Sequence, residues 1–335
     1  MSIDDLIARL PKVELHCHLE GSVPAPTFIE LAAGHGIELK TTDPEHVYDF
    51  FSFLEFLDLY YQVCDALATP ADIERGVYDS LVHGKATGNL RYREMFFSPT
   101  NHSQVSYGQM VDAMVSGIKA AEADHGVSCR LIADINRRQS PQVAVQLVEA
   151  MIAHPSEYVI GLGIDDDEAT GPPEMFVDAF TLAGRHGIRR TAHAGELGVA
   201  ANVRTSLELL GCERIDHGYA MTRDPEVFAF ARDSGVHFTG CWFVNNFHEG
   251  VFTEGVDPAT TGLAQMIRAG LPVSLSTDDP TMIPTDLNAE YASVAATLGL
   301  DEAAVVGLAR AAIDGSWADD STKATLRAEL DAAAR

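Results

Sequence analysis

Four short segments of the chain place histidine or aspartate directly after an apolar run. In a β-strand, residues i and i+2 project from the same face, so His16 and His18 can bind one ion together. One such pair is weak evidence for a metal site, but histidines with a purely structural role are not expected to occur at four separate strand ends. Three histidines and one aspartate suit Zn²⁺ and leave room for a water. The four segments are His16-Cys17-His18, His193-Ala194-Gly195-Glu196, Asp216-His217-Gly218 and Thr277-Asp278-Asp279-Pro280.

Eight short β-rich runs must position these segments. Helical patterns lie between the runs, as at residues 140–154 and 173–186. Alternating strands and helices predict a parallel sheet, and eight repeats predict an α/β fold of the (β/α)₈ TIM-barrel type. We expect one domain over residues 1–335, with its active site at the C-terminal strand ends. The predicted strands are 13–18, 90–97, 129–135, 158–164, 188–193, 214–217, 237–243 and 272–277.

The connection between the first two predicted strands is unusually long, at about 70 residues. It leaves the first strand at the catalytic end of the barrel and is rich in aromatic residues, among them Phe50, Phe53 and Tyr60. Long loops over barrel sites act as lids. We therefore predict a helical lid insertion at about residues 37–88, although the same aromatics could simply pack an extra helix onto the barrel.

Composition excludes several classes of partner. The chain has 335 residues, of which 46% are hydrophobic, and a formal net charge of −26. An acidic surface repels nucleic acid and anionic lipid, and it disfavours a highly phosphorylated substrate. The five scattered cysteines form no CxxC pair, and from the sequence pattern we expect neither a secretory signal nor a membrane span. We predict a cytoplasmic protein with reduced thiols, no nucleic-acid partner and no membrane contact.

Four motifs together resemble the adenosine/adenine deaminase family of the amidohydrolase superfamily. They occur in the family's order and spread over almost the whole chain. The resemblance implies one Zn²⁺ per chain and hydrolytic removal of the 6-amino group from a small-molecule aminopurine. Adenosine, adenine and a modified aminopurine such as 6-aminodeoxyfutalosine would each give a 6-oxo product and ammonia. The motifs are PKVELHCHLEG (11–21), HAGE (193–196), RIDHGY (214–219) and SLSTDDP (274–280).

The resemblance also implies a role for each motif residue. Glu196 is the expected proton donor to the ring nitrogen, because attack at C6 breaks aromaticity and that nitrogen needs a proton as the nucleophile arrives. His217 is expected to orient and deprotonate the attacking water, and Asp279 to hold it and contact the substrate. The HxE…PCxxC pattern of cytidine-type deaminases does not occur. The implied zinc ligands are His16, His18, His193 and Asp278.

The chain departs from the family pattern where substrate is expected to bind. Glu20 stands where adenosine enzymes usually carry an aspartate that reaches the sugar. After the fourth strand, Gly163-Ile164-Asp165-Asp166-Asp167-Glu168 lacks the family's purine-contacting glycine, and Cys241-Trp242-Phe243-Val244-Asn245 is also unusual. Asp166 and Asp167 are predicted to accept hydrogen bonds from extra amino groups or a cation. The predicted substrate-binding residues are Glu20, Asp166, Asp167 and Phe53.

Other functions remain open at this point. One alternative is a mononuclear amidohydrolase that acts on another amino-substituted heterocycle. Dinuclear lactonases and amidases often use a carboxylated lysine on the fourth strand, which has none here, and a non-catalytic binding protein would not need every catalytic position filled. Arg137-Arg138 and Arg189-Arg190 are interpreted as solvated faces, which disfavours an AMP deaminase. Oligomeric state is not predicted. The histidines interpreted as surface or packing residues are His35, His46, His83, His102, His125, His154 and His186, whereas His248 stays open.

Overall fold

The barrel wall is built from short parallel strands. The computed structural model describes residues 2–196, 198–251 and 256–335, without the side chains of residues 53–54 and 247–251. The strands in this part are β1 (Lys12–His18), β2 (Leu90–Phe97), β3 (Ser128–Asn136), β4 (Val159–Asp165), β5 (Arg189–Arg190), β6 (His193–Ala194), β7 (Arg214–His217), β8 (His237–Cys241) and β9 (Val273–Ser276).

The predicted fifth strand is divided into β5 and β6. Hydrogen bonding nevertheless continues between them, because Thr191 N–H donates to Leu162 O (3.0 Å) and Asp216 N–H donates to Ala192 O (2.9 Å). The strands run parallel in the order β1-β2-β3-β4-β5 and β6-β7-β8-β9. All eight strands predicted for the barrel are therefore present.

Closure of the barrel occurs between the first strand and the last. Asp278 N–H donates to His16 O at 3.1 Å, and His18 N–H donates to Asp278 O at 3.0 Å. These bonds lie at the C-terminal strand ends, so closing the wall also brings three of the predicted metal ligands together. The structure thus confirms the (β/α)₈ fold class.

The helices surround this wall, and several begin at a side chain that accepts backbone N–H groups. Ser2, Thr69 and Ser106 form capping boxes at the starts of α1, α4 and α5. The helices are α1 (Ile3–Arg9), α2 (Ala25–Gly34), α3 (Phe53–Ala66), α4 (Pro70–Gly88), α5 (Tyr107–His125), α6 (Pro141–Ala153), α7 (Val177–Arg185), α8 (Ala200–Glu208), α9 (Pro225–Ser234), α10 (Trp242–Val251), α11 (Gly262–Arg268), α12 (Leu287–Leu298), α13 (Glu302–Gly315) and α14 (Asp320–Ala333).

The predicted seventh strand, 237–243, is too long at its C-terminal end. The strand stops at Cys241, and Trp242 begins α10. The cause is a distant carboxylate on α12. Glu290 accepts the backbone N–H groups of Trp242 (2.7 Å) and Phe243 (3.3 Å), which are unsatisfied donors of a helix start.

The long segment between β1 and β2 contains α2, α3 and α4. Helix α4 packs against β2 and α5, as a crossover helix does, whereas residues of α3 line a cavity at the barrel mouth. The movement that a lid implies remains a prediction. Among the helices of the described residues, none combines the length and apolarity that a membrane span needs.

Candidate metal centre and active site

Three imidazoles and one carboxylate converge at the C-terminal end of the barrel. His16 and His18 project from the end of β1, His193 from β6, and Asp278 follows β9. Asp278 Oδ1 lies 3.2 Å from His16 Nε2 and 3.3 Å from His18 Nε2. His18 Nε2 lies 3.1 Å from His193 Nε2. All four side chains are buried, and each offers a ligand atom within 4.8 Å of the others.

This donor set fits a tetrahedral zinc ion. Zn–N distances of about 2.0–2.1 Å place neighbouring ligand atoms about 3.3 Å apart, close to the separations observed here. His193 Nδ1–H donates to Ile164 O at 3.0 Å, so its Nε2 lone pair faces the cluster. Burial and the adjacent imidazoles lower the pKa of His193 well below its usual value, which keeps the ring neutral as a ligand must be. His16 Nε2 is buried without a hydrogen-bond partner among the described residues.

A chain of hydrogen bonds that starts at Nδ1 of His16 orients its imidazole ring. Its Nδ1 contacts Thr239 Oγ1 at 2.9 Å, and that hydroxyl donates to Asp216 Oδ1 at 2.8 Å. Thr191 Oγ1 donates to the other oxygen of Asp216 at 2.6 Å. Such partners fix the tautomer and ring orientation of a metal ligand. Asp216 therefore positions the metal centre from within the RIDHGY motif, a role that the sequence analysis did not assign.

Glu196 follows the metal ligand His193 in a turn that a second carboxylate holds. Glu168 accepts the backbone N–H groups of Gly195 (2.9 Å) and Glu196 (2.8 Å). Asn202 Nδ2 donates to the same carboxylate at 2.6 Å. Gly195 has φ +68°, which favours glycine and allows the chain to turn directly after the strand. The Glu196 side chain consequently reaches the cavity beside the metal ligands.

His217 lies beside the ligand cluster, with one ring nitrogen against a tyrosine hydroxyl. Its Nδ1 lies 3.0 Å from Tyr219 Oη, which also accepts the backbone N–H of Cys241 at 2.8 Å. When Nδ1–H donates to this hydroxyl, the Nε2 lone pair faces Glu196 Oε1 and Asp278 Oδ2, each 3.8 Å away. Burial lowers the pKa of His217, so the neutral base is the form present near pH 7.

Backbone strain is concentrated at this end of the barrel. His217 (φ +70°), Asp278 (φ +65°) and Asp166 (φ +73°) occupy the left-handed region, which costs of order 1–3 kcal/mol per non-glycine residue. Each of the three lines the cavity. Asp279 lines it as well, and its Oδ1 lies where a Cβ at Gly21 would collide at 1.7 Å. The site therefore needs glycine at position 21.

The cavity over the metal ligands is lined by both apolar and acidic residues. The aromatic and aliphatic residues are Phe50, Phe56, Leu57, Tyr60, Tyr61, Val244 and Ile283, and the acidic residues at the end of β4 are Asp165, Asp166 and Asp167. Asp166 and Asp167 therefore reach the place where substrate binding was predicted, and contact with substrate remains a prediction. The side chain of Phe53 and the side chain of His248 lie outside the described residues.

Glu20 is buried and is not among the described residues that line the cavity. Its Oε1 accepts the N–H of Ser98 at 3.0 Å and contacts His102 Nε2 at 2.9 Å. Burial opposes ionisation, but these hydrogen bonds hold the pKa of Glu20 below its usual value. A direct substrate contact by Glu20 remains a prediction. His102, interpreted from sequence as a surface or packing residue, is the buried partner that fixes this carboxylate.

Two further supporting residues escaped the sequence analysis. Arg137 is buried, so its interpretation as a solvated face is wrong. Its guanidinium donates to the backbone oxygens of Asp165 (2.9 Å) and His193 (2.7 Å) and thereby ties the ends of β4 and β6. Glu14 accepts both the N–H (3.0 Å) and the hydroxyl (2.5 Å) of Thr277, the residue before Asp278. The sequence signal for Glu14 was a charged residue inside a β-rich run.

An eight-stranded barrel with this ligand set at its strand ends defines a metal-dependent hydrolase of the amidohydrolase type. The family model described as Adenosine deaminase matches residues 11–333. Adenine deaminase of Rhodospirillum rubrum is 34% identical and covers 99% of each chain. Aminodeoxyfutalosine deaminase of Streptomyces coelicolor is 33% identical over 97% of this chain and 84% of its own length.

A crystal structure of an amidohydrolase from Burkholderia ambifaria with bound Zn superposes with a TM-score of 0.91 at 33% identity, covering 100% of this chain and 94% of the other. The chain belongs to the adenosine deaminase family. It is accordingly a hydrolytic deaminase with Zn²⁺ as its cofactor.

Proposed function

We propose that this deaminase removes the exocyclic amino group from a 6-aminopurine-type ring that carries no phosphate. The observation that carries the proposal is the set of groups around the four metal ligands. A carboxyl group (Glu196), an imidazole (His217) and a second carboxyl group (Asp279) share one cavity with three of those four ligands. The relatives named adenine deaminase and aminodeoxyfutalosine deaminase support the same ring class.

Each of these groups has a distinct part in the reaction. Zn²⁺ held by the three imidazoles and Asp278 supplies Lewis acidity, which makes water nucleophilic near neutral pH. Addition at C6 interrupts the aromatic ring and places electron density on the adjacent nitrogen, so Glu196 donates a proton there. His217, with Nδ1 held by Tyr219, accepts the proton of the attacking water at Nε2 and passes it to the amino nitrogen, so that the C6–N bond breaks and ammonia leaves the 6-oxo ring. Asp279 accepts a hydrogen bond from the attacking water or the amino group.

The cavity's charge supports a substrate without phosphate. Of the described residues that line it, six are carboxylates and none is lysine or arginine. Proteins bind phosphate through Arg and Lys side chains or helix N-termini, because anions need positive charge. The buried Arg137 does not serve this purpose, since its guanidinium is bonded to backbone carbonyl oxygens.

Ammonia release from a substrate panel tests the proposal. The panel contains adenine, adenosine, 6-aminodeoxyfutalosine, AMP and a non-aromatic cyclic amide. We expect turnover of at least one of the first three and none of AMP. Glu196→Gln serves as the control for background hydrolysis. Turnover confined to the cyclic amide would refute the proposed reaction, and efficient turnover of AMP would refute the argument from cavity charge.

A further inference from the structure

Two buried carboxylates beside the metal ligands have no part in the reaction described above. Asp134 lies on β3, and Asp165 ends β4. Each offers an oxygen within 4.8 Å of the other and of a ring nitrogen of His18. Asp134 is fully buried and Asp165 is 8% exposed. Asp165 lines the cavity, and Asp134 lies behind it toward the barrel interior.

Three oxygens of this pair lack a hydrogen-bond partner among the described residues. They are both oxygens of Asp134 and Oδ1 of Asp165. The fourth, Asp165 Oδ2, accepts the hydroxyl of Ser98 at 3.0 Å. His18 Nδ1 is 3.8 Å from Asp134 Oδ2, which is too long for a hydrogen bond. Buried carboxylate oxygens are normally bonded, so this arrangement indicates that a partner comes from outside the described residues.

A glycine on the neighbouring strand leaves space for the Asp134 side chain. Its register partner on β4 is Gly163. A Cβ at that glycine would lie 1.9 Å from Asp134 Oδ1, so any larger residue would displace the carboxylate. The pair is therefore a built feature of two neighbouring strands.

Among the described residues, no lysine or arginine side chain donates to this pair. The buried Arg137 directs its donors to four backbone oxygens instead, those of Asp165, Gly171, Ile164 and His193. Asp166, also on the cavity wall, adds a further negative group. A ligand with a positive or hydrogen-bond-donating nitrogen group would supply what is missing.

We propose that Asp165, backed by Asp134, binds a second nitrogen group of the substrate, either an amino substituent or a protonated amine, distinct from the amino group that is hydrolysed. The inference rests on the proposed function, because the same cavity holds both groups. The substrate is then an aminopurine with an additional N–H-rich or cationic substituent. Asp165 meets this group directly, and Asp134 acts through Asp165, because oxygens of the two carboxyl groups lie within 4.8 Å of each other.

Isosteric substrate pairs test this assignment. One pair is 2,6-diaminopurine and 2-methyladenine, and the other is 9-(2-aminoethyl)adenine and 9-propyladenine. Within each pair, the members differ by a nitrogen group in place of a methyl group. We expect the wild-type enzyme to prefer the nitrogen member of at least one pair by about ten- to a hundredfold in kcat/KM, the range for a hydrogen bond to a charged group.

Asparagine variants identify the residues responsible. Asp165→Asn and Asp134→Asn should reduce the preference within a pair to about threefold or less. Asp178→Asn on the exposed face of α7 is the matched control and should keep the full preference. Thermal melting checks that each variant is folded. The wild-type preference decides the question even when a variant fails to fold.

Several results would overturn the inference. Equal kcat/KM within both pairs would do so, as would a preference that both variants retain. Two divalent ions per chain, falling to one in Asp165→Asn, would assign the carboxylates to a metal instead. If no aminopurine in the panel releases ammonia, the proposed function itself fails. If adenine or either methyl-bearing substrate is deaminated without a preference for nitrogen, only this inference fails.

Discussion

Removing the Glu168 carboxylate should disturb the proton donor without touching the metal ligands. Glu168 is buried and accepts three hydrogen bonds, from Gly195 N–H, Glu196 N–H and Asn202 Nδ2. In Glu168→Gln, one oxygen is replaced by an amide nitrogen that faces a donor. At least one of the three bonds is lost, and the remaining ones lose their charge.

The size of the effect follows from these contacts. A hydrogen bond to a charged group contributes about 1.5–3 kcal/mol, so we expect Glu168→Gln to lower the free energy of unfolding by about 3 kcal/mol. The turn that carries Glu196 should shift, and a misplacement of about 1 Å costs on the order of a hundredfold in rate. We therefore expect kcat to fall by about ten- to a hundredfold, with a smaller change in KM.

Urea denaturation and steady-state ammonia release measure the two effects, and metal analysis confirms that zinc is retained. Glu174→Gln is a matched control, because Glu174 is an exposed carboxylate on the same connection and its hydrogen bond from Thr205 Oγ1 is long, at 3.4 Å. It should leave both quantities within error of the wild type. A wild-type kcat in folded Glu168→Gln would refute the view that this carboxylate positions Glu196.

Three further perturbations address the turn, the metal site and the support of α10. Gly195→Ala should lower the free energy of unfolding by about 1–3 kcal/mol in urea titrations, because φ is +68° and the new Cβ would meet Val203 Cγ2 at 2.9 Å; an unchanged midpoint would contradict this. His16→Ala should bind less than one zinc per chain by metal analysis, whereas the exposed control His186→Ala keeps one. Burial raises the pKa of Glu290 from 4.5 to about 8. Its stabilising contribution is therefore full below pH 4.5 and decreases toward pH 8. The difference in unfolding free energy between wild type and Glu290→Gln should change by about 1.4 kcal/mol per pH unit between these two values. A difference that stays constant with pH would count against the raised pKa.

The local pattern of the sequence predicted that histidines and aspartates meet at one end of the barrel, and the family resemblance then implied which of them bind zinc. In β1, His16 and His18 lie two residues apart at the end of an apolar run, and that spacing places both on one face. The parallel barrel then brings strand ends from distant parts of the chain to one rim, so His193 and Asp278 joined them. Strand periodicity and the direction of the strands were enough to predict that these side chains meet at one end of the barrel.

Residues whose environment depends on distant partners were not predictable in the same way. Trp242 fits a strand by type, yet it starts a helix because Glu290, far along the chain, accepts its N–H. Arg137 looks like half of an exposed basic pair, but backbone oxygens from several strand ends surround its guanidinium. His102 carried no sign of its pairing with Glu20. Each of these contacts joins elements that local sequence does not relate.

The most direct test of the account is ammonia release by a zinc-loaded Glu196→Gln variant. Glu196 lies beside the ligand cluster but is absent from it, so the variant should still hold one zinc per chain. Loss of the general acid should lower kcat by about 10²–10⁴-fold on the best substrate of the panel. A variant with one zinc per chain and a rate close to wild type would contradict the assignment of Glu196 as proton donor, and with it the proposed mechanism.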